Sequence, residues 1–144
     1  MSLPTDHLML IECEDYLLVP LQGAPVVRVS IDAAFAIAFP ELEVLLTAPF
    51  RLVHGDQTTT IDPADLAQVA QALHVLRKEG ASLVAHRDGR LELRFGDGAV
   101  LSAEPHPIEE AWEVEGANGF HVVCLPGGEL DLWTPEAAPP DFEA

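Results

Sequence analysis

Three histidines stand beside an acid in short stretches that read as loops: His54-Gly55-Asp56, His86-Arg87-Asp88 and His106-Pro107-Ile108-Glu109. An imidazole and a carboxylate within reach of each other can serve as general acid and base, because histidine changes charge near neutral pH. The same stretches also read as plain surface turns. Asp88, like Asp32, is placed to cap turn backbone with its side chain. His121 and Cys124 are three residues apart in an expected strand. They therefore face opposite sides, which argues against a shared metal ion.

A second constellation is aromatic and acidic. Trp112 and Trp133 bracket the last expected sheet unit, with Glu109, Glu110, Glu113, Glu115, Glu129 and Asp131 around them. Large aromatics beside acids have the composition of an interface, so these eight residues are the candidate partner-contact set. The competing reading puts both tryptophans in the core. With Trp112 turned inward, Glu113 and Glu115 are read as lying off a common face, so no simple acidic strip is expected. There is no G-x-S-x-G, no G-x-x-x-x-G-K-[ST] and no H-E-x-x-H. Gly96-Asp97-Gly98 lies between strands and reads as a turn, not a dinucleotide loop. No catalytic residue, cofactor or metal ligand is assigned.

Charge narrows the partners. The chain of 144 residues holds 24 acids against 7 bases, a formal net charge of −17. The last basic side chain is Arg94, and 11 acids follow between Phe95 and Ala144. Nucleic acid and anionic membrane would be repelled, whereas a basic protein would be attracted. Acidic surface also serves solubility alone. The two cysteines suit a reducing compartment. The amino terminus carries neither a basic region nor a long apolar run. The expectation is a cytoplasmic protein of one domain over residues 1–144, with an ordered core at 8–133 and disordered ends, the tail at 134–144 included.

The elements that must carry these residues are mostly strands. Ser82 to Pro105 reads as a three-stranded meander, with Leu91, Leu93 and Phe95 alternating with Arg90, Glu92 and Arg94. Shifted by 56 residues, Val26 to Pro49 follows the same pattern: Phe39 falls on Phe95, Val44 on Val100, Leu45 on Leu101 and Glu41 on Asp97. An internal duplication is therefore a candidate. Ala34, Ala36 and Ala38 make the second face of their strand apolar too. That face calls for a cover, with the chain's own helix favoured over a second sheet or a partner subunit. Phe50–His54 and Thr58–Ile61 form a hairpin. Asn118-Gly119 is the strongest short hairpin signal.

One helix of about 17 residues is expected, capped by Asp62, with Pro63 at its first position, Arg77 and Lys78 in its last turn and Gly80 ending it. Leu66, Val69, Ala70, Leu73 and Leu76 form its apolar stripe. The fold class that follows is α+β, with antiparallel meanders packed on this one long helix.

Tyr16-Leu-Leu-Val-Pro-Leu-Gln-Gly23 and Val26-Val-Arg-Val-Ser-Ile-Asp32 resemble small actinobacterial proteins that carry a domain of unknown function. So does Trp112-Glu-Val-Glu-Gly116 through Cys124-Leu-Pro-Gly-Gly-Glu-Leu-Asp-Leu-Trp133. The ending Cys-x-Pro-Gly-Gly-Glu-x-x-x-Trp is its most distinctive part. The resemblance covers Tyr16 to Trp133 and implies no catalytic residues. By analogy with other small acidic proteins, the expectation is a non-enzymatic protein-binding module, such as an immunity-type inhibitor of a basic partner. The alternatives are a small-molecule-binding or enzymatic domain with a pocket between helix and sheet, and a subunit that dimerises through the Ala34–Ala38 face.

Overall fold

Alternation of apolar and polar residues, interrupted by glycine turns, makes strands the main regular element of the described residues. A computed structural model describes residues 8–134. The expectations for the first seven residues and for the tail beyond Thr134 lie outside the described residues. In chain order the strands are β1 Ile11–Glu12, β2 Tyr16–Pro20, β3 Arg28–Ile31, β4 Phe35–Phe39, β5 Leu42–Leu46, β6 Phe50–His54, β7 Gln57–Ile61, β8 Gly80–His86, β9 Leu91–Phe95, β10 Val100–Ala103, β11 Trp112–Gly116, β12 His121–Cys124 and β13 Leu130–Trp133. Every pairing is antiparallel. One sheet has seven strands in the order β1-β2-β8-β9-β10-β6-β7, and the other has six in the order β13-β12-β11-β5-β4-β3.

The two sheets share one apolar core. Leu17, Leu83, Leu91, Leu93 and Leu101 come from the seven-stranded sheet; Phe35, Ile37, Val44, Trp112 and Val114 come from the six-stranded one. Phe35 stacks on Phe50 with ring centroids 5.5 Å apart, joining the sheets directly.

The α+β expectation is overturned. The only α-helix among the described residues, α1, spans Leu66–Val69, and a 3₁₀ segment continues it over Ala70–Val75. Its cap is Asp65, whose carboxylate accepts from the amides of Ala67 and Gln68, rather than Asp62. Asp62, Pro63 and Ala64 form a preceding turn, with Asp62 Oδ1 accepting from Ala64 N at 3.0 Å. The buried side chains are Val69, Ala72 and Val75, while Leu66, Leu73 and Leu76 are exposed. A spacing of three is the 3₁₀ period, which eclipses side chains along one edge and so selects a different set from the α-helical stripe. Arg77 then takes a left-handed conformation (φ 77°), and Gly80 opens β8 rather than ending a helix. Arg77 N donates to Val26 O and Val26 N donates to Lys78 O, so the exit is held to the segment that leads into β3.

The two meanders are present, one in each sheet. β4 and β9 correspond at the 56-residue shift, but the third strands do not align as expected. The β4–β5 loop has two residues, Pro40-Glu41, whereas the β9–β10 loop has three, Gly96-Asp97-Gly98. Ile37 therefore pairs with Val44, but its counterpart Leu93 pairs with Leu101. Val44 matches Leu101 in position and burial, and Val100 faces the other way, as a one-residue slip requires.

After each meander the chain crosses to the opposite sheet. β6 pairs with β10 and β11 pairs with β5, so each sheet's third meander strand is joined to the hairpin that follows the other meander.

The helix does not cover the alanine face. Ala38 lies between Arg28 and Glu43 across three strands, and those two side chains meet at 3.7 Å over it.

Candidate functional site

The outward face of the six-stranded sheet carries two cross-strand rows. One runs Ser30, Ala36, Leu45, Glu113, Val123, Asp131; the other runs Arg28, Ala38, Glu43, Glu115, His121, Trp133. Glu113, Glu115, Asp131 and Trp133 from the candidate set thus share one face. The expectation that Glu113 and Glu115 lie apart is corrected. Two residues apart on one strand, they point to the same side, opposite Trp112 and Val114, which are buried.

The other members of the set are placed elsewhere. Trp112 is fully buried and belongs to the core. Glu109 and Glu110 are exposed in the connection before β11, where Glu110 O accepts from the Thr47 hydroxyl at 2.6 Å. Glu129 is exposed just before β13, and its carbonyl accepts from Leu125 N at 2.8 Å. Trp133 keeps 60% of its surface exposed, so the core reading fits one tryptophan and not the other.

His121 joins the acidic face, a placement the sequence reading missed. Its Nε2 lies 3.1 Å from Glu113 Oε1 and 3.8 Å from Glu115 Oε2. The reason is loop length. A two-residue Asn-Gly loop would set His121 opposite Gly116, on the core side. The loop instead has three residues, Ala117-Asn118-Gly119, with Gly119 at φ 105°, so His121 pairs with Glu115. The β8–β9 and β9–β10 loops use the same form, with Gly89 and Gly98 in the left-handed position. That repetition is the signal that could have shown the register.

Two of the loop histidines, His106 and His86, have structural partners. His106 Nδ1 accepts from the amides of Ile108 and Glu109 at 3.0 and 3.1 Å. His86 meets Glu92 at 3.4 Å rather than Asp88. Asp88 caps its turn by accepting from Arg90 N at 3.1 Å, and that hydrogen bond is the main reason its pKa is lowered. His54 closes β6, with Asp56 in the following turn.

The Cys124–Trp133 ending also has a structural explanation. Trp112 Nε1 donates to Gly89 O at 3.0 Å, and Cys124 Sγ donates to the same oxygen at 3.5 Å. Gly128, at φ 109°, lies so close to the Asp88 carbonyl that an added Cβ would sit 2.5 Å from its oxygen. The Pro-Gly-Gly turn is therefore packed onto the β8–β9 loop, and only glycine fits there. Burial raises the Cys124 thiol pKa, as expected for an inert core cysteine.

The described concavities are open or small. A shallow hollow of about 360 Å³ lies over Ala38, lined by Arg28, Glu43 and Glu115. At the helix, where the alternative reading put a pocket, Val69, Ala72 and Val75 are fully buried. A narrow apolar space between Leu10, Leu17, Val114 and Phe120 amounts to about 10 Å³, no more than one water could fill.

A family model described as a family of unknown function, DUF6188, matches residues 17–134. The chain belongs to this family. The match agrees with the resemblance seen between Tyr16 and Trp133, and DUF6188 brings no assigned chemistry with it. No curated protein and no solved structure matches the chain. No helix among the described residues is long and apolar enough to cross a membrane.

Proposed function

We propose that this DUF6188 protein is a binding module whose partner is a basic protein, docked on the outward face of the six-stranded sheet. The observation that supports this is the gathering of Glu113, Glu115, Asp131 and exposed Trp133 on that face, with Arg28 the one Lys or Arg in its two rows among the described residues. An exposed tryptophan at the rim of a carboxylate field offers an apolar anchor beside charges that steer a cationic surface. Steering of this kind raises association rates by roughly 10- to 1000-fold at low salt. An immunity-type inhibitor is one form such a module takes.

The test compares two baits in lysate of the source organism, the native chain and a variant with Glu113→Gln, Glu115→Gln, Asp131→Asn and Trp133→Ala. A basic protein held by the native chain at low salt, released by high salt and lost by the variant should bind again when both proteins are purified. Equal capture by the two baits, or a reconstituted affinity indifferent to salt, rejects the reading.

A further inference from the structure

We infer that Glu113, Glu115 and His121 form a binding site for one divalent transition-metal ion of the zinc class. The inference goes beyond the docking reading and does not depend on it. One ligand atom from each residue lies within 4.8 Å of the other two. An ion held at about 2.0–2.2 Å by two donors at a tetrahedral angle puts those donors about 3.4 Å apart. The observed separations from His121 Nε2, 3.1 Å to Glu113 Oε1 and 3.8 Å to Glu115 Oε2, stand on either side of that value. One imidazole nitrogen and two carboxylate oxygens are a donor set suited to zinc rather than to calcium or magnesium, which take oxygen ligands. Three protein ligands also leave a coordination position open to water or a further group.

The scaffold holds the donors without a loop. Glu113 and Glu115 project from one strand at a spacing of two, and His121 faces Glu115 on the neighbouring strand. The charge of the cluster asks for a cation. Glu43 lies directly opposite Glu115 on the other side, and its own ion pair is with Arg28. The ion pairs of Glu113 and Glu115 among the described residues run to His121, which is charged only when protonated. A neutral imidazole leaves two adjacent carboxylates uncompensated; a bound dication neutralises both.

The experiment uses the full chain stripped with chelator and titrated with zinc chloride by calorimetry. One ion per chain is expected. His121→Ala and Glu113→Gln should each weaken binding at least tenfold, and His54→Ala, distant on the other sheet, should not change it. Copper(II) gives a second readout: it should quench the exposed Trp133, the cross-strand neighbour of His121, and His121→Ala should abolish that quenching while circular dichroism stays native. Absence of a one-to-one isotherm overturns the inference. So does equal weakening by His54→Ala and His121→Ala, which would indicate an adventitious ion. Because metal alone is the probe, either failure leaves the partner reading where it stood.

Discussion

On the outward face of the seven-stranded sheet an acid stands between two bases; on the outward face of the six-stranded sheet a base stands between two acids. Glu92 meets Arg94 at 2.9 Å and His86 at 3.4 Å. His121 meets Glu113 at 3.1 Å and Glu115 at 3.8 Å. Arg51 and Arg94 lie in strands of the seven-stranded sheet and Arg90 in its β8–β9 loop, and each has an acid beside it: Glu104, Glu92 and Asp88. The first face therefore neutralises itself. The second carries Glu43, Glu113, Glu115 and Asp131 against Arg28 and His121, the latter charged only when protonated, among its two rows of described residues. A chain of net charge −17 has not spread its excess evenly. The excess negative charge gathers on the outward face of the six-stranded sheet, where a cation of either proposed kind would be attracted.

This contrast holds only while the sheets are locked back to back, and the lock is the largest lever. Trp112→Ala removes a fully buried indole and its hydrogen bond to Gly89 O. It should cost about 3–5 kcal/mol, read as a lower urea midpoint, and a loss under about 1 kcal/mol would show that the indole is not the clamp.

The next effect separates the two clusters by pH. Burial works against the charged form of Glu92, but hydrogen bonds from Arg94 and His86 outweigh it and leave its pKa below the usual 4.5. Asp97 is lowered from 3.8 by the hydrogen bond from Lys78, and Asp88 from the same value by Arg90 N. In the window between the unfolded and the lowered folded values, the unfolded chain binds more protons. The stability these groups add is thus complete above about 4.5 and is lost as pH falls through the folded values. Thermal melts below pH 4.5 should drop, and Glu92→Gln should flatten the drop. An unchanged slope in that variant would mean the seven-stranded face is not held by this cluster.

The smallest effect sharpens the comparison from the other side. Glu115 faces Glu43 directly across the strand pair. In metal-free protein at low salt, Glu115→Gln should therefore stabilise by about 0.2–1 kcal/mol. The gain should shrink as salt screens the repulsion. A destabilised variant would indicate that Glu115 is already compensated in the folded chain.

Much of the strand pattern was legible. Phe50–His54 was readable to the residue, and Leu91–Phe95 to within one residue at Arg90, because apolar alternation and glycine turns agree there. The helix was not. Asp62, Pro63, Arg77, Lys78 and Gly80 each carry a proper helix-end signal, yet five local signals do not specify which side chains the core accepts. The core took Val69, Ala72 and Val75, and the chain followed their spacing.

For the candidate site, four of eight residues were brought to one face, and His121 was added. Composition pointed to the acidic carboxy-terminal region, but loop length chose the face. One residue more in the loop at Asn118 turned His121 outward.

By itself the sequence determined which segments pair as neighbouring hairpins, that the surface is acidic and that Arg94 is the last base before a run of carboxylates. These are properties of local alternation, turn chemistry and composition, each settled within a few residues. Only the tertiary structure decided that the strands after each meander cross to the opposite sheet, that Trp112 enters the core while Trp133 stays outside, and that two glutamates and a histidine converge. Those outcomes rest on strand register and on contacts between residues far apart in the chain. A single residue of slip inverts which face a side chain occupies, and only packing between the sheets selects among the registers that local sequence allows.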